Sequence, residues 1–429
     1  MSTNLDSGRL EKMNKNLSIS ALLIFLLGGF LMQCTNGRPA HNRIFQEFEA
    51  KIKTIENPLE RQIAANELVQ AIRKGDYPIF ENDSTVVLLY QGNDDDIAIS
   101  GDMTLWADFS TMAVVPGTDL KYKRFVLEPD ARLEYGFSIT KNGFPFPDPL
   151  NPYKVLNGFG PFSEMAMPKY ERHPIFTPFQ YGKKSDLKRV TKIVHESQIL
   201  GYAHDVFVYL PPNYSATQKY PVLYLQDGQD YIEFSHIPVM LDELIGSGKI
   251  RPMLAVFIQP PNRFKPDMPN RMTEYGLNDK YVTFLCDELV PFIDKTYSTL
   301  AKPSARLVAG DSFGGLVSVS IGFHRSDVFG LVYGQSGYYS FHKDSLIHEI
   351  ARSDKKAVRF RIDVGTYERK VGANFLPQYE GDFLEAARRL KTVLAEKGYD
   401  TVYREYHEGH TWGNWRRHLI DVLEDYFGK

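Results

Sequence analysis

Gly310-Asp311-Ser312-Phe313-Gly314 sets a serine between two glycines where a run of β-formers, Arg306 to Ala309, gives way to an apolar helical stretch, Leu316 to Phe323. A side chain on so tight a strand-to-helix turn must leave the backbone steeply, and the glycines remove β-carbons that would collide there. Such a turn exposes a nucleophile. In a chain of this length Gly-x-Ser-x-Gly arises by accident on the order of 0.1 times. The strand before it and the helix after it make coincidence rarer still, so the pattern reads as a nucleophile elbow.

A serine hydroxyl is a poor nucleophile at neutral pH and needs a base, which in turn needs a carboxylate to orient it. On a sheet of this kind the partners follow in the order serine, acid, histidine, on loops at the carboxyl ends of strands. Of the eleven histidines, His410 is best placed, in Glu408-Gly409-His410-Thr411-Trp412 just beyond the expected strand Thr401 to His407. Gly409 is expected to let that loop carry the imidazole over the sheet edge. His407 ends the strand and reads as a packed or surface residue. The pair His407 and His410 has metal-compatible spacing, but no cysteine or carboxylate cluster accompanies it, so no metal and no organic cofactor is expected.

The acid is sought after the expected strand Phe360 to Val364, where Gly365-Thr366-Tyr367-Glu368 offers Glu368 on the loop; Asp363 is still within the strand. Outside catalysis, Glu368 would be a surface ion-pair partner of Arg369 or Lys370. Acyl transfer also needs two donors for the oxyanion. The amide of Phe313, directly after the nucleophile, is one candidate. The amide of Gln229, in the turn Asp227-Gly228-Gln229-Asp230-Tyr231 after the expected strand Val222 to Gln226, is the other.

Working outward, residues 192–429 alternate strand-like runs with helical ones such as Ile237 to Ile245, Tyr281 to Lys295 and Phe383 to Lys397. Alternation of this sort implies an α/β fold, a mostly parallel sheet with helices on both faces. Residues 81–165 instead show short β-runs, Val86 to Tyr90, Ile97 to Ser100, Tyr122 to Leu127 and Leu133 to Thr140, the last closed by Asn142-Gly143, which reads as a small β-sandwich. Between the two, residues 166–191 read as a linker. Residues 35–80 carry two helical patterns broken at Pro58.

Ile19 to Met32 is an apolar run of signal-peptide length, short of the ~20 residues that span a bilayer. Cys34 follows it, so residues 1–34 read as a lipoprotein-like export signal with Cys34 as the lipidated residue, and the chain is expected in a bacterial envelope. Lipidation of Cys34 leaves Cys286 as the other of the two cysteines, so stability rests on core size rather than a disulfide. A net charge of −3 with no long basic run gives no footprint for nucleic acid.

Several segments together resemble one esterase family: Pro211-Pro212-Asn213-Tyr214, Tyr224-Leu225-Gln226-Asp227-Gly228-Gln229, Glu288-Leu289-Val290-Pro291-Phe292-Ile293, the elbow through Gly315, Gln335-Ser336-Gly337, and Gly409-His410. That family includes enterochelin esterases, feruloyl and acetylxylan esterases, S-formylglutathione hydrolases and mycolyltransferases. The resemblance implies an α/β-hydrolase fold with Ser312 as nucleophile, His410 as base, and Glu368 where the family often has Asp. The segments around Trp106, Tyr135-Gly136-Phe137 and Asp148-Pro149-Leu150-Asn151-Pro152 resemble the immunoglobulin-like domain that precedes enterochelin esterases and some glycan-active enzymes. Trp106 is then either a core residue or a sugar-stacking one.

Two departures stand out: Tyr231 occupies a position where enterochelin esterases tend to have Trp, and those enzymes are typically cytoplasmic. The expected activity is hydrolysis of a small-molecule or glycan ester through an acyl-enzyme. An acyltransferase on the same triad and a silent glycan-binding protein are the alternatives. Tyr231, Tyr338 and Arg271 are expected to touch substrate, the last through an anionic group if its loop overhangs the site.

Overall fold

The computed structural model of the chain describes residues 41–139, 143–176, 187–262, 265, 267–373 and 376–429. The expected leader, Cys34 and Asn142 lie outside the described residues. An eight-stranded sheet organises the second half: β1 (Val190–Glu196), β2 (Ala203–Tyr209), β3 (Val222–Gln226), β4 (Leu254–Gln259), β5 (Arg306–Asp311), β6 (Leu331–Gln335), β7 (Arg359–Gly365) and β8 (Asp400–Tyr406). Their order is β1-β2-β4-β3-β5-β6-β7-β8. The first two pairings, β1 with β2 and β2 with β4, are antiparallel; all the others are parallel.

Central strands of a sheet covered on both sides must be apolar on both faces. In β3, Val222 and Tyr224 join one core cluster while Leu223 and Leu225 join the other. The first cluster is capped by the helices Phe313–His324, Phe341–Arg352 and Phe383–Glu396; the second by Ile237–Gly246 and Trp412–Phe427. The stretch expected as one helix from Tyr281 to Lys295 is Asp279–Thr283 and Val290–Thr296 joined by a π-helical turn, Phe284–Leu289. Pro291 supplies the reason, since its ring and missing N–H disturb the i→i−4 ladder one turn back.

Residues 38–429 form one compact unit. Its first part has two antiparallel sheets, one of Ile79–Phe80, Thr85–Gln91, Leu120–Val126 and Ala113–Val114, the other of Ser110–Thr111, Ala98–Gly101, Arg132–Ser138, Gly160–Ala166 and Lys154–Asn157. Both sheets and the helices Ile44–Ile52 and Pro58–Ile72 share one core. Pro58 starts the second helix rather than preceding it: it occupies the first helical turn, where its missing N–H is no loss, and Asn57 caps by accepting from Leu59 N. The strand Gly160–Ala166 runs into the first residue of the expected linker, and β1 starts two residues before residue 192.

Candidate active site

Register across the sheet aligns the chemistry before any loop is considered. Asp311 pairs with Gln335, and Gln335 with Asp363, so the chain leaves β5, β6 and β7 side by side at their carboxyl ends. Ser312 follows Asp311 at φ 57° and ψ −120°, a backbone state non-glycine residues rarely adopt. Tight closure of this elbow explains its first glycine, because a β-carbon on Gly310 would come within 2.5 Å of the Gly314 carbonyl oxygen. Phe313 begins the helix, and its N–H is among those a helix leaves without an intrahelical partner.

His410 Nδ1 lies 2.7 Å from Glu368 Oε2. The other carboxylate oxygen accepts from Ser336 Oγ at 2.6 Å and from Gly365 N at 2.7 Å, and the carboxylate is buried. Ser336, itself at φ 45°, also accepts from Trp415 Nε1 at 2.9 Å, and the Trp415 indole meets the His410 ring edge-to-face at 4.8 Å. The imidazole is thus fixed by a carboxylate on one side and by rings on others, since Phe383 also packs against it at 5.0 Å. Asp363 points elsewhere: it accepts from Tyr333 Oη, and burial, aided by the nearby Glu368 and Glu408 carboxylates, pushes its pKa up to about 7.

Ser312 and His410 line one cavity of about 160 Å³. That is close to the ~150 Å³ that holds a benzene ring in an apolar protein cavity. Phe313, Tyr379, Phe383, Trp412 and Trp415 form much of its hydrolase side. Its opposite side comes from the β-sandwich, through Asp102, Leu105, Trp106, Phe159 and Phe162. Trp106 packs on Phe162 at 4.8 Å and donates Nε1–H to Asp102 at 2.7 Å. Leu105 and Trp106 both occupy the left-handed region, at φ 57° and 51°. Holding two bulky residues there costs roughly 1–2 kcal/mol each, a strain of the kind that collects at binding sites. Burial, together with the Glu134 carboxylate, raises the Asp102 pKa to about 7.

Three expected contacts lie elsewhere. The Gln229 amide donates to Gln259 Oε1 at 2.9 Å, and the residue is not on the cavity wall. Tyr231 is fully buried one layer behind, donating to Gln335 Oε1 at 2.7 Å and bracing Trp412 edge-to-face. Tyr338 stacks on Phe383 at 4.9 Å and braces Phe313. Both tyrosines support the wall without forming it.

Arg271 does reach the cavity, but its Nε and one terminal nitrogen form a two-pronged pair with the Asp227 carboxylate, at 2.7 and 2.6 Å. That pair ties its helix to the turn after β3. Among the described residues no group of three or more His, Cys, Asp or Glu could hold a metal, and no helix is long and apolar enough to cross a membrane.

The model of one protein family, described as "Putative esterase", matches residues 197–426. The chain belongs to this Esterase family. The uncharacterised protein YjcH of Bacillus subtilis is 31% identical over 250 residues, 57% of this chain and 97% of that protein. An endo-1,4-β-xylanase/feruloyl esterase of Xylanibacter ruminicola is 31% identical over 261 residues, 58% of this chain and 33% of that one. Among solved structures, the enterobactin esterase of Shigella flexneri superposes with a TM-score of 0.65 at 20% identity, over 80% of this chain and 94% of that one. The carboxyl-terminal domain has the α/β-hydrolase fold.

Sequence reasoning missed Ser336 as a support for Glu368, although Gln335-Ser336-Gly337 is among the segments that carry the family resemblance. It singled out Trp106 as a core or stacking residue but missed that the sandwich walls the cavity of Ser312 and His410, for which no local pattern in the sequence gives a signal.

Proposed function

We propose that the chain is a serine carboxylic-ester hydrolase working through an acyl-enzyme. The observation that carries this reading is the 2.7 Å contact of Glu368 with His410 in the cavity that also holds Ser312 on its left-handed elbow. Glu368 occupies Nδ1, which leaves Nε2 to take the Ser312 proton as Oγ attacks the ester carbonyl. The Phe313 amide receives the developing oxyanion. His410 then returns the proton to the leaving alkoxide, and water repeats the cycle on the acyl-enzyme.

The aromatic cavity suits an ester carrying a planar apolar group, a class to which the feruloyl esters named for the Xylanibacter relative belong. The sandwich, read here as immunoglobulin-like, is then a wall of the site. A panel of feruloyl, acetylated-glycan, siderophore and short acyl esters tests the reading, with Ser312→Ala and fluorophosphonate labelling as controls. Loss of both turnover and labelling in Ser312→Ala is expected. An unlabelled wild-type chain that binds sugar regardless of Ser312 would leave a silent glycan-binding protein instead. Ester formation on added acceptor alcohols would move the reading to acyl transfer.

Export and lipidation of Cys34 belong to the same proposal and rest on residues 19–34. Wild-type chain in the membrane fraction, released by Cys34→Ala, is the expected result; equal release of both overturns it.

A further inference from the structure

The loop that carries His410 is held from the β-sandwich. The Arg132 backbone N–H donates to His407 O at 3.1 Å, and the His407 ring meets Asp130 at 2.7 Å. The Arg132 side chain is buried and enters the hydrolase domain, where one nitrogen donates to Thr411 Oγ1 at 3.1 Å and to Asn414 Oδ1 at 3.0 Å. Asn414 Nδ2 in turn donates to Gly409 O at 2.9 Å. His410 therefore stands between two residues, Gly409 and Thr411, that are both gripped from one guanidinium. The guanidinium is itself fixed, because Glu164 pairs with it at 2.6 Å and Glu134 at 3.0 Å.

We propose that Arg132 is a positioning residue for His410, acting through Thr411 and Asn414, so that the sandwich is a working part of the catalytic site and not a detachable module. The proposal rests on the reading of His410 as the base. A cation buried between two carboxylates needs no further partners for its own neutralisation, yet the terminal nitrogen that pairs with Glu134 is shared with Thr411 and Asn414 of the histidine loop. Neutral acceptors at that distance orient rather than neutralise. A displacement of about 1 Å at a reacting group lowers rate by about 100-fold, which is the scale at which such a grip is felt.

The test uses the full-length chain. Arg132→Lys leaves two buried carboxylates poorly matched and can simply unfold, so Thr411→Val with Asn414→Ala is the informative variant: it keeps the Arg132 pairs with Glu134 and Glu164 and removes the grip. Expected are a 10- to 100-fold fall in kcat with KM within about two-fold, an equal fall in the rate of fluorophosphonate labelling at Ser312, and an unchanged circular-dichroism spectrum. In proton NMR, the low-field resonance of the His410 Nδ1–H facing Glu368 should broaden or vanish in the variant. Wild-type kcat with that resonance intact overturns the proposal. If the wild-type chain hydrolyses no ester, the esterase reading fails, and the resonance alone still decides whether Arg132 orders the imidazole.

Discussion

Asp102 of the sandwich and Gly409 of the hydrolase domain are in such close contact that a β-carbon on Gly409 would come within 2.0 Å of Asp102 Oδ1. The glycine beside the histidine is thus required by the close approach of Asp102 from the sandwich, not by an unusual backbone angle. Gly409→Ala should lower kcat at least ten-fold and lower the melting temperature, because overpacking a buried contact costs about 1–3 kcal/mol. Asp102→Ala in the same chain removes the colliding atoms and should restore part of both losses. A double-variant cycle measures that coupling; two additive losses would place the clash elsewhere.

Glu368 and Asp363 are five positions apart, yet only the first meets His410. Glu368→Gln should cut kcat by roughly 10³- to 10⁴-fold, the scale seen when a triad carboxylate loses its charge. Asp363→Asn should leave kcat within a few-fold, because its partner is Tyr333. Steady-state kinetics on any ester the wild-type chain turns over checks both, and the reverse order of effects would reassign the acid.

Stability should depend on pH through Asp363. Its pKa is about 7 in the folded chain against 3.8 unfolded, so between those values the folded state holds a proton that the unfolded state has released. The stabilising contribution is complete below about pH 4, falls as pH rises, and is gone above about pH 7, with a slope of roughly 1.4 kcal/mol per pH unit. Asp363→Asn lacks this dependence. Denaturation of both chains from pH 4 to 8 should show the variant gaining on the wild type up to about pH 7 and no further.

Trp106 should set preference among esters. Removing one ring from an aromatic contact costs about 0.5–1.5 kcal/mol, so Trp106→Ala should lower kcat/KM for a feruloyl ester by about 2- to 10-fold and leave a short acetyl ester nearly unchanged. Equal losses on both would make the indole a scaffold residue that serves Asp102 alone.

Much of the hydrolase domain is legible because its signals are local. The elbow is five consecutive residues, β3 is a run of apolar residues buried on both faces, and His410 and Glu368 each follow a recognisable strand. Where expectation and structure part, the deciding contact is remote in sequence. Tyr231 and Tyr338 are aromatic residues near the motifs, but which layer a ring occupies depends on helices that arrive later in the chain, Trp412–Phe427 against Tyr231 and Phe383–Glu396 against Tyr338. The Gln229 amide was lost to Gln259, thirty positions away on the end of β4.

By itself the sequence determined the turn that carries Ser312, the order of the residues around it and the alternating α/β pattern, because strand-to-helix geometry and hydrophobic period are written in neighbouring residues. Only the tertiary structure decided that Asp102, Trp106 and Arg132, which precede Ser312 by about two hundred positions, wall the cavity and grip the histidine loop. Contacts between domains follow from the shapes of two finished surfaces, and no periodicity along the chain encodes which side chains those surfaces will bring together.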